Sequence, residues 1–105
     1  MKFALRYSAD ALKDLDSIWT DVFQASDSFD IADNYIDGLL AEVSRIQNHP
    51  KTGSQLFFDD VFTGIRYIRY KAYLVFYRIG KQHVEVSRIL LAKSDYLKTL
   101  FPGEG

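Results

Sequence analysis

Cysteine is absent from this sequence. That excludes disulfides, thiolate zinc sites and a thiol nucleophile, and it suits a reducing cytosol. Histidine occurs only as His49 and His83, far apart and without an i,i+4 partner. A metal site needs a cluster of ligands, so no metal is expected. Gly53, Gly64 and Gly80 stand alone, and no glycine-rich strand-to-helix turn offers a phosphate cradle. The first residues, MKFALRYSAD, lack a long apolar run. Neither a secretory signal nor a transmembrane span is expected, and the reading is cytoplasmic, with no cofactor and no membrane partner. Internal repeats and low-complexity segments are also missing.

What is present is enough to build a core. With 105 residues, a single domain over 1–105 is expected, its last residues 102–105 forming a frayed tail. A hydrophobic share of 48% and a charged share of 26% describe a folding rather than a disordered chain. Eight Phe, seven Tyr and one Trp supply the bulk. The net charge of −1 conceals a division. Residues 1–63 hold five basic and eleven acidic side chains, a net −6, whereas residues 64–105 hold eight basic and three acidic, a net +5. Such a split is either an unevenly solvated surface or a basic face awaiting an anionic partner.

The chain is organised around Gly64–Leu91, which reads as three consecutive antiparallel strands. Ile65–Tyr70 alternates apolar and basic residues. Tyr73–Ile79 is almost wholly aromatic and β-branched, and His83–Leu91 ends in an apolar run. Lys71-Ala72 makes one short connection. Gly80-Lys81-Gln82 makes the other, with Gly80 expected at positive φ. Earlier, Lys2–Tyr7 alternates as a strand with Phe3, Leu5 and Tyr7 on one face. Ser8 is the natural N-cap of a helix over about residues 9–23, whose stripe is Leu12, Leu15, Ile18, Trp19 and Val22. Asp27 or Ser28 caps a second helix carrying Ala32, Tyr35, Ile36, Leu39, Val43 and Ile46. Gly38 within it signals close packing. His49-Pro50 ends it. Lys51–Thr63 reads as an irregular segment strapped onto the core. Residues 92–101 read as a short helix with Tyr96, Leu97 and Leu100 inward. The expected class is α+β, in the order β-α-α-β-β-β, with a helical hairpin packed on one face of an antiparallel sheet.

That layout leaves the other sheet face partly bare. In Tyr73–Ile79, the residues Tyr73, Val75, Tyr77 and Ile79 make the better core face, so Leu74, Phe76 and Arg78 should point away. Arg66 and Arg69 take opposite parities. Arg88 shares its parity with Val84 and Val86, and either snorkels or is redirected by a bulge. A mixed basic and apolar face suits a peptide partner at least as well as RNA. Metal-free RNA cleavage would need a general acid, a general base and cations around phosphate. Lys71, Arg78, His83 and Tyr96 are chemically eligible, but nothing in their spacing singles them out.

Short motifs in fixed order resemble a known family along nearly the whole chain. They are Leu5-Arg6-Tyr7-Ser8 with Ala11 and Asp14-Leu15, then His49-Pro50-Lys51-Thr52-Gly53, Gly64-Ile65-Arg66, Tyr73-Leu74-Val75-Phe76-Tyr77-Arg78-Ile79, and Val84-Glu85-Val86-Ser87-Arg88-Ile89-Leu90 with Asp95. The pattern is similar to the ParE toxins of the RelE/ParE superfamily, also called plasmid stabilisation proteins. The resemblance implies the toxin half of a type II toxin–antitoxin pair. Its implied partners are a ParD-like antitoxin and DNA gyrase, the latter inhibited by binding without catalysis. The alternative within the superfamily is a RelE-like, ribosome-dependent and metal-independent mRNA endoribonuclease. A third possibility is a degenerate member that only binds its antitoxin. RelE-like toxins typically carry Arg where this chain has Leu74, and a basic run where it has Ala92-Lys93-Ser94-Asp95. ParE-like toxins commonly carry His where Leu91 stands, which puts a role for that His in doubt. No catalytic residue is assigned, and direct nucleic-acid binding is the lesser expectation. The candidate antitoxin- or target-binding residues are Arg66, Arg69, Leu74, Phe76, Arg78, Arg88 and Lys93.

Overall fold

The computed structural model describes residues 3–103. Lys2 of the expected first strand and Glu104–Gly105 of the expected tail lie outside the described residues. Strand β1 (Ala4–Tyr7) leads directly into helix α1 (Ala9–Ser26). Ser8 caps that helix, its side chain accepting from Ala11 N. Asp27 closes α1 in the left-handed conformation, its N–H donating to Phe23 O, and Ser28 caps α2 (Phe29–Ser44) by accepting from Ile31 N. Two residues with opposite capping roles thus turn the chain, and α1 and α2 form the expected hairpin. Short 3₁₀ turns at Arg45–Gln47 and Pro50–Thr52 follow.

The segment expected to be irregular is instead a β-hairpin. Strand β2 (Ser54–Phe58) pairs antiparallel with β3 (Val61–Tyr70) through a two-residue turn, Asp59-Asp60, both at positive φ (51° and 63°). Two successive left-handed residues match the strand twist at a hairpin. Asp reaches that conformation with local side-chain help, but it is a weaker signal than Asn-Gly. Opposite Leu56 the register shifts where Gly64 sits at φ 83°, a backbone conformation that favours glycine. Strands β4 (Tyr73–Ile79) and β5 (His83–Leu91) lie where the alternation puts them.

The five strands form one mixed sheet in the order β1-β5-β4-β3-β2. β1 runs parallel to β5 and all other pairs are antiparallel. The α+β class and element order are the expected ones, but the sheet is mixed rather than antiparallel, because β1 lies parallel to β5, and β2 is added at the other edge. Tyr73, Val75 and Tyr77 of β4 meet Leu39, Val43 and Ile46 of the helical side in the main core. Gly38 lies against the Tyr70 ring, where a side chain would collide with the phenol, so its close-packing role holds. Gly80 does not take positive φ; the His83 ring packs where its Cβ would be. Trp19 departs from its assigned stripe. It is only half-buried at the hairpin tip, stacked on Phe23 at 5.3 Å, with its indole N–H donating to Asp33 Oδ1 at 2.8 Å.

The second sheet face is not bare. Helix α3 (Tyr96–Leu100) folds back over it, and Leu56, Ile65, Leu74 and Phe76 form a smaller core beneath Tyr96, Leu97, Leu100 and Phe101. Among the described residues, no helix is long and apolar enough to cross a membrane.

Candidate functional site

The α3 side of the sheet carries most of the residues assigned to binding, and the fold divides them. Leu74 is 7% exposed and Phe76 fully buried, so neither offers a docking surface. The Phe76 ring lies 5.3 Å from that of Tyr96 and 5.9 Å from that of Tyr67. Their parity was legible, but the helix above them covers what parity alone leaves open. Arg66 points to the opposite face, where its Nη1 donates to Gly53 O at 3.2 Å and its guanidinium lies 5.6 Å from the centre of the Phe62 ring.

Arg88 is committed elsewhere. The β4–β5 register steps from Phe76↔Arg88 to Tyr77↔Val86, leaving Ser87 as the extra residue of a bulge. Beyond Val86, β1 no longer pairs with β5, and α1 passes alongside. Across that gap Asp14 accepts from Arg88 Nε at 2.8 Å and Nη2 at 3.0 Å. It also accepts from Ile89 N at 2.8 Å, so one carboxylate satisfies both the guanidinium and a backbone donor of β5. The hydrogen bond from Arg88 to Asp14 raises the guanidinium pKa above its ordinary value, against the opposing effect of burial. Ser8 completes the joint by donating its hydroxyl to Ser87 O at 2.7 Å. The bulge reading of Arg88 holds; its partner Asp14, and Ser8 on the bulged Ser87, both stand in the N-terminal motif, but no local pattern links that motif to β5.

Arg69, Arg78 and Lys93 remain exposed. Arg69 Nε donates to Lys71 O across its turn at 2.8 Å. Arg78 stands opposite Ile65 and Glu85 in the register and makes a long contact to Thr63 O at 3.4 Å. It lines an open cleft of about 350 Å³ with Asp10, Arg88, Thr99 and Leu100. Lys93 lies in the loop entering α3. Among the described residues the ion pairs are Arg88–Asp14 and Arg45–Glu42, so these three cations carry unneutralised charge. Together they can attract carboxylates of a partner at the margin of α3.

The groups eligible for proton transfer do not converge. Lys71, at φ 51°, holds its ammonium over the Tyr35 and Tyr70 rings at 5.1 and 5.5 Å from their centres. His83 lies beyond the other end of β4, against Gly80. The seven residues of β4 separate the two by roughly 20 Å. Tyr96 packs on Phe76. Among the described residues, no three His, Asp or Glu side chains gather as a metal site.

One motif has a structural explanation. The hydroxyl of Tyr77 donates to Pro50 O at 2.6 Å and accepts from Gly53 N at 2.9 Å. The His49–Gly53 run is thereby fastened to the central strand.

A family profile described as the ParE toxin of the type II toxin–antitoxin system parDE matches residues 5–96. No curated protein matches the sequence. Among solved structures, a chain of the chromosomal ParDE toxin–antitoxin system from P. aeruginosa superposes with a TM-score of 0.72 at 17% identity. The match covers 88% of this chain and 98% of that one. A chain of the RelBE2 toxin–antitoxin complex from Mycobacterium tuberculosis gives 0.58 at 18% identity, covering 87% and 99%. The conserved hypothetical protein HP0894 from Helicobacter pylori gives 0.52 at 16% identity, covering 88% and 97%. At these identities the likeness shows the fold alone.

Proposed function

The chain belongs to the ParE toxin family of type II toxin–antitoxin systems, and from that premise we propose that it inhibits DNA gyrase by binding, without catalysis, until a ParD-like antitoxin neutralises it. The observation that carries the non-catalytic reading is Leu74. At that place RelE-like toxins typically hold an Arg, and here a branched alkyl group lies 7% exposed beneath α3. An alkyl group cannot stabilise charge developing on a phosphate. Lys71 and His83, held at opposite ends of β4, supply no acid and base around one scissile bond.

The likeness to chains from two toxin–antitoxin systems supports an antitoxin partner. Its docking surface is the exposed cation set Arg69, Arg78 and Lys93 at the margin of α3, rather than the full set of seven. Leu74 and Phe76 are covered, Arg88 is held by Asp14, and Arg66 faces the other way. An acidic segment of the antitoxin would meet these cations. Arg78→Glu is expected to weaken the complex and flatten its salt dependence. Unchanged affinity at both low and high salt would remove this surface from the reading.

The experiment that separates the two activities places purified protein with gyrase and plasmid in one reaction, and with translating ribosomes and mRNA in another. Lost supercoiling or gyrase-dependent DNA breaks, with intact mRNA, is the expected result. Codon-specific cleavage on ribosomes overturns the proposal and makes an arginine of a neighbouring strand the missing cation.

A further inference from the structure

The two edges of the sheet are protected very differently. β1 is four residues long, carries Arg6, and is tied at its start, where Phe3 N donates to Gln47 O and Gln47 Nε2 donates to Phe3 O, each at 3.0 Å. β2 is Ser54-Gln55-Leu56-Phe57-Phe58, with no proline and no charge. Among the described residues, no backbone group of β2 bonds to anything outside its own hairpin with β3. An uncharged, unpaired edge is a template for another strand, and folded proteins ordinarily blunt such edges with Lys, Pro or a covering element.

The surface beside this edge is apolar. On the helix-side face of the hairpin, Phe57 and Phe62 form a cross-strand pair with ring centres 5.8 Å apart. They are 52% and 38% exposed, and Val61 is 65% exposed. The helical hairpin does not reach them. Charge is laid out around the strand with opposite signs at its two ends. Exposed Lys51 lies just before Gly53, whose backbone is extended into β2, and exposed Asp59 and Asp60 form the turn after it.

We infer that the occupant of the β2 edge is a second copy of this chain, paired antiparallel through β2 about a two-fold axis at Leu56. In that register Ser54 faces Phe58 and Gln55 faces Phe57 of the other copy. The Asp59-Asp60 turn of each copy then comes alongside the Thr52-Lys51 end of its mate. Two-fold pairing uses one patch twice, so the acid–base match forms twice. The two Phe57 rings approach each other diagonally across the axis, within the reach of aromatic side chains. The two five-stranded sheets become one continuous sheet, and both open edges disappear. The α3 margin and its cations stay outside the contact.

The test is the mass of the purified full chain in solution, by sedimentation or light scattering over roughly 1–100 μM. A dimer is expected. Phe57→Lys, on an exposed side chain, places a charge on the edge and should weaken dimerisation by roughly tenfold or more. Lys51→Asp should weaken it as well. Lys51→Asp combined with Asp60→Lys should recover it, since Lys71 shows that lysine accepts the backbone conformation of Asp60. A chain that stays monomeric across the range overturns the inference. So does a dimer that Phe57→Lys leaves intact, or one that the charge swap fails to recover. A monomeric chain that loses its antitoxin when Phe57→Lys is introduced gives the edge to the antitoxin and also overturns it.

Discussion

The two faces of the sheet are closed by unequal means. On one side, helices of 18 and 16 residues cover the buried side chains of β4 and β5. On the other, a helix of five residues covers Leu56, Ile65, Leu74 and Phe76. A helix that short has no stability of its own in water. It is held because three of its five residues, Tyr96, Leu97 and Leu100, pack onto the sheet. The long hairpin covers its face by area, and the short helix covers its face with large side chains. The difference fixes where partners can reach. The hairpin side is sealed over β4 and β5, whereas α3 leaves a margin on which Arg69, Arg78 and Lys93 remain exposed.

The largest test of this comparison is Phe76→Ala. If α3 makes a true second core, truncating a fully buried ring should cost about 3–5 kcal/mol, as it would on the helical side. Chemical denaturation measures it. A loss below about 1 kcal/mol would mean that α3 leaves the ring accessible, because surface substitutions fall within that range.

Tyr77→Phe probes the other face. It removes the donor to Pro50 O and the acceptor for Gly53 N, both buried contacts. The expected cost is about 1–3 kcal/mol, that of buried backbone groups left unpaired. A pH signature goes with it. Burial raises the Tyr77 phenol above its ordinary 10.0, against smaller lowering effects of Gly53 N–H and Arg66. Below a pH of about 10 its contribution to stability is fully present. Above that the unfolded chain ionises first, and the contribution is lost as pH climbs through the higher folded value. Wild-type stability should therefore fall on the alkaline side, and the fall should be shallower in Tyr77→Phe. Identical alkaline slopes would place the effect on the other raised phenols, Tyr7 and Tyr73.

Much of this architecture is legible in the chain because periodicity reports burial. Tyr73–Ile79 and His83–Leu91 lie where the pattern sets them, and Ser8 and Ser28 cap the helices as their type requires. The run from Tyr73 to Tyr77 also carries a second message. Five successive buried residues mean a strand covered on both faces, not a strand with one face bare. Parity sorts residues between faces but does not report what lies above each face. β2 is hidden for another reason: its turn uses Asp-Asp, and its register against β3 breaks opposite Leu56, where Gly64 sits, so the alternation is interrupted in mid-hairpin and closed by a weak turn signal. The Asp14–Arg88 pair spans 74 residues, and no local pattern encodes a contact at that distance.

Trp19 gives the next smaller effect. Counted in the helical stripe, it would belong to the main core, and its removal would then cost as much as that of Phe76. It instead closes the far tip of the hairpin with Phe23 and Phe29, half-buried, with one hydrogen bond to Asp33. Trp19→Ala should cost about 1–2 kcal/mol, well short of a full core truncation. A loss of about 4 kcal/mol would show that the tip cluster supports the whole hairpin, because full burial of the indole sets that scale.

The smallest effect concerns the turn that joins β2 to β3. This hairpin is covered on the α3 side, where Leu56 is buried and Phe58 meets Phe101 at 5.3 Å, and uncovered on the helical side, where Phe57 and Phe62 are exposed. With half the packing of β4, it depends more on its own turn. Asp59 and Asp60 both hold left-handed backbone conformations and place two negative charges side by side. Asn-Gly satisfies the same dihedrals with less steric cost and no repulsion. Replacing Asp59→Asn and Asp60→Gly together should raise stability by roughly 0.5–1 kcal/mol, the left-handed strain of about 1–2 kcal/mol in an L-residue less the roughly 0.5–1 kcal/mol of extra chain entropy that glycine loses on folding. Thermal unfolding measures the gain. The same substitutions also remove the acidic end of β2 that faces Lys51 in the two-fold pairing. A chain that becomes more stable as a monomer while dimerising less would separate the two roles of the turn. A loss of stability in the monomer would mean that the Asp carboxylates anchor the turn through contacts outweighing their strain.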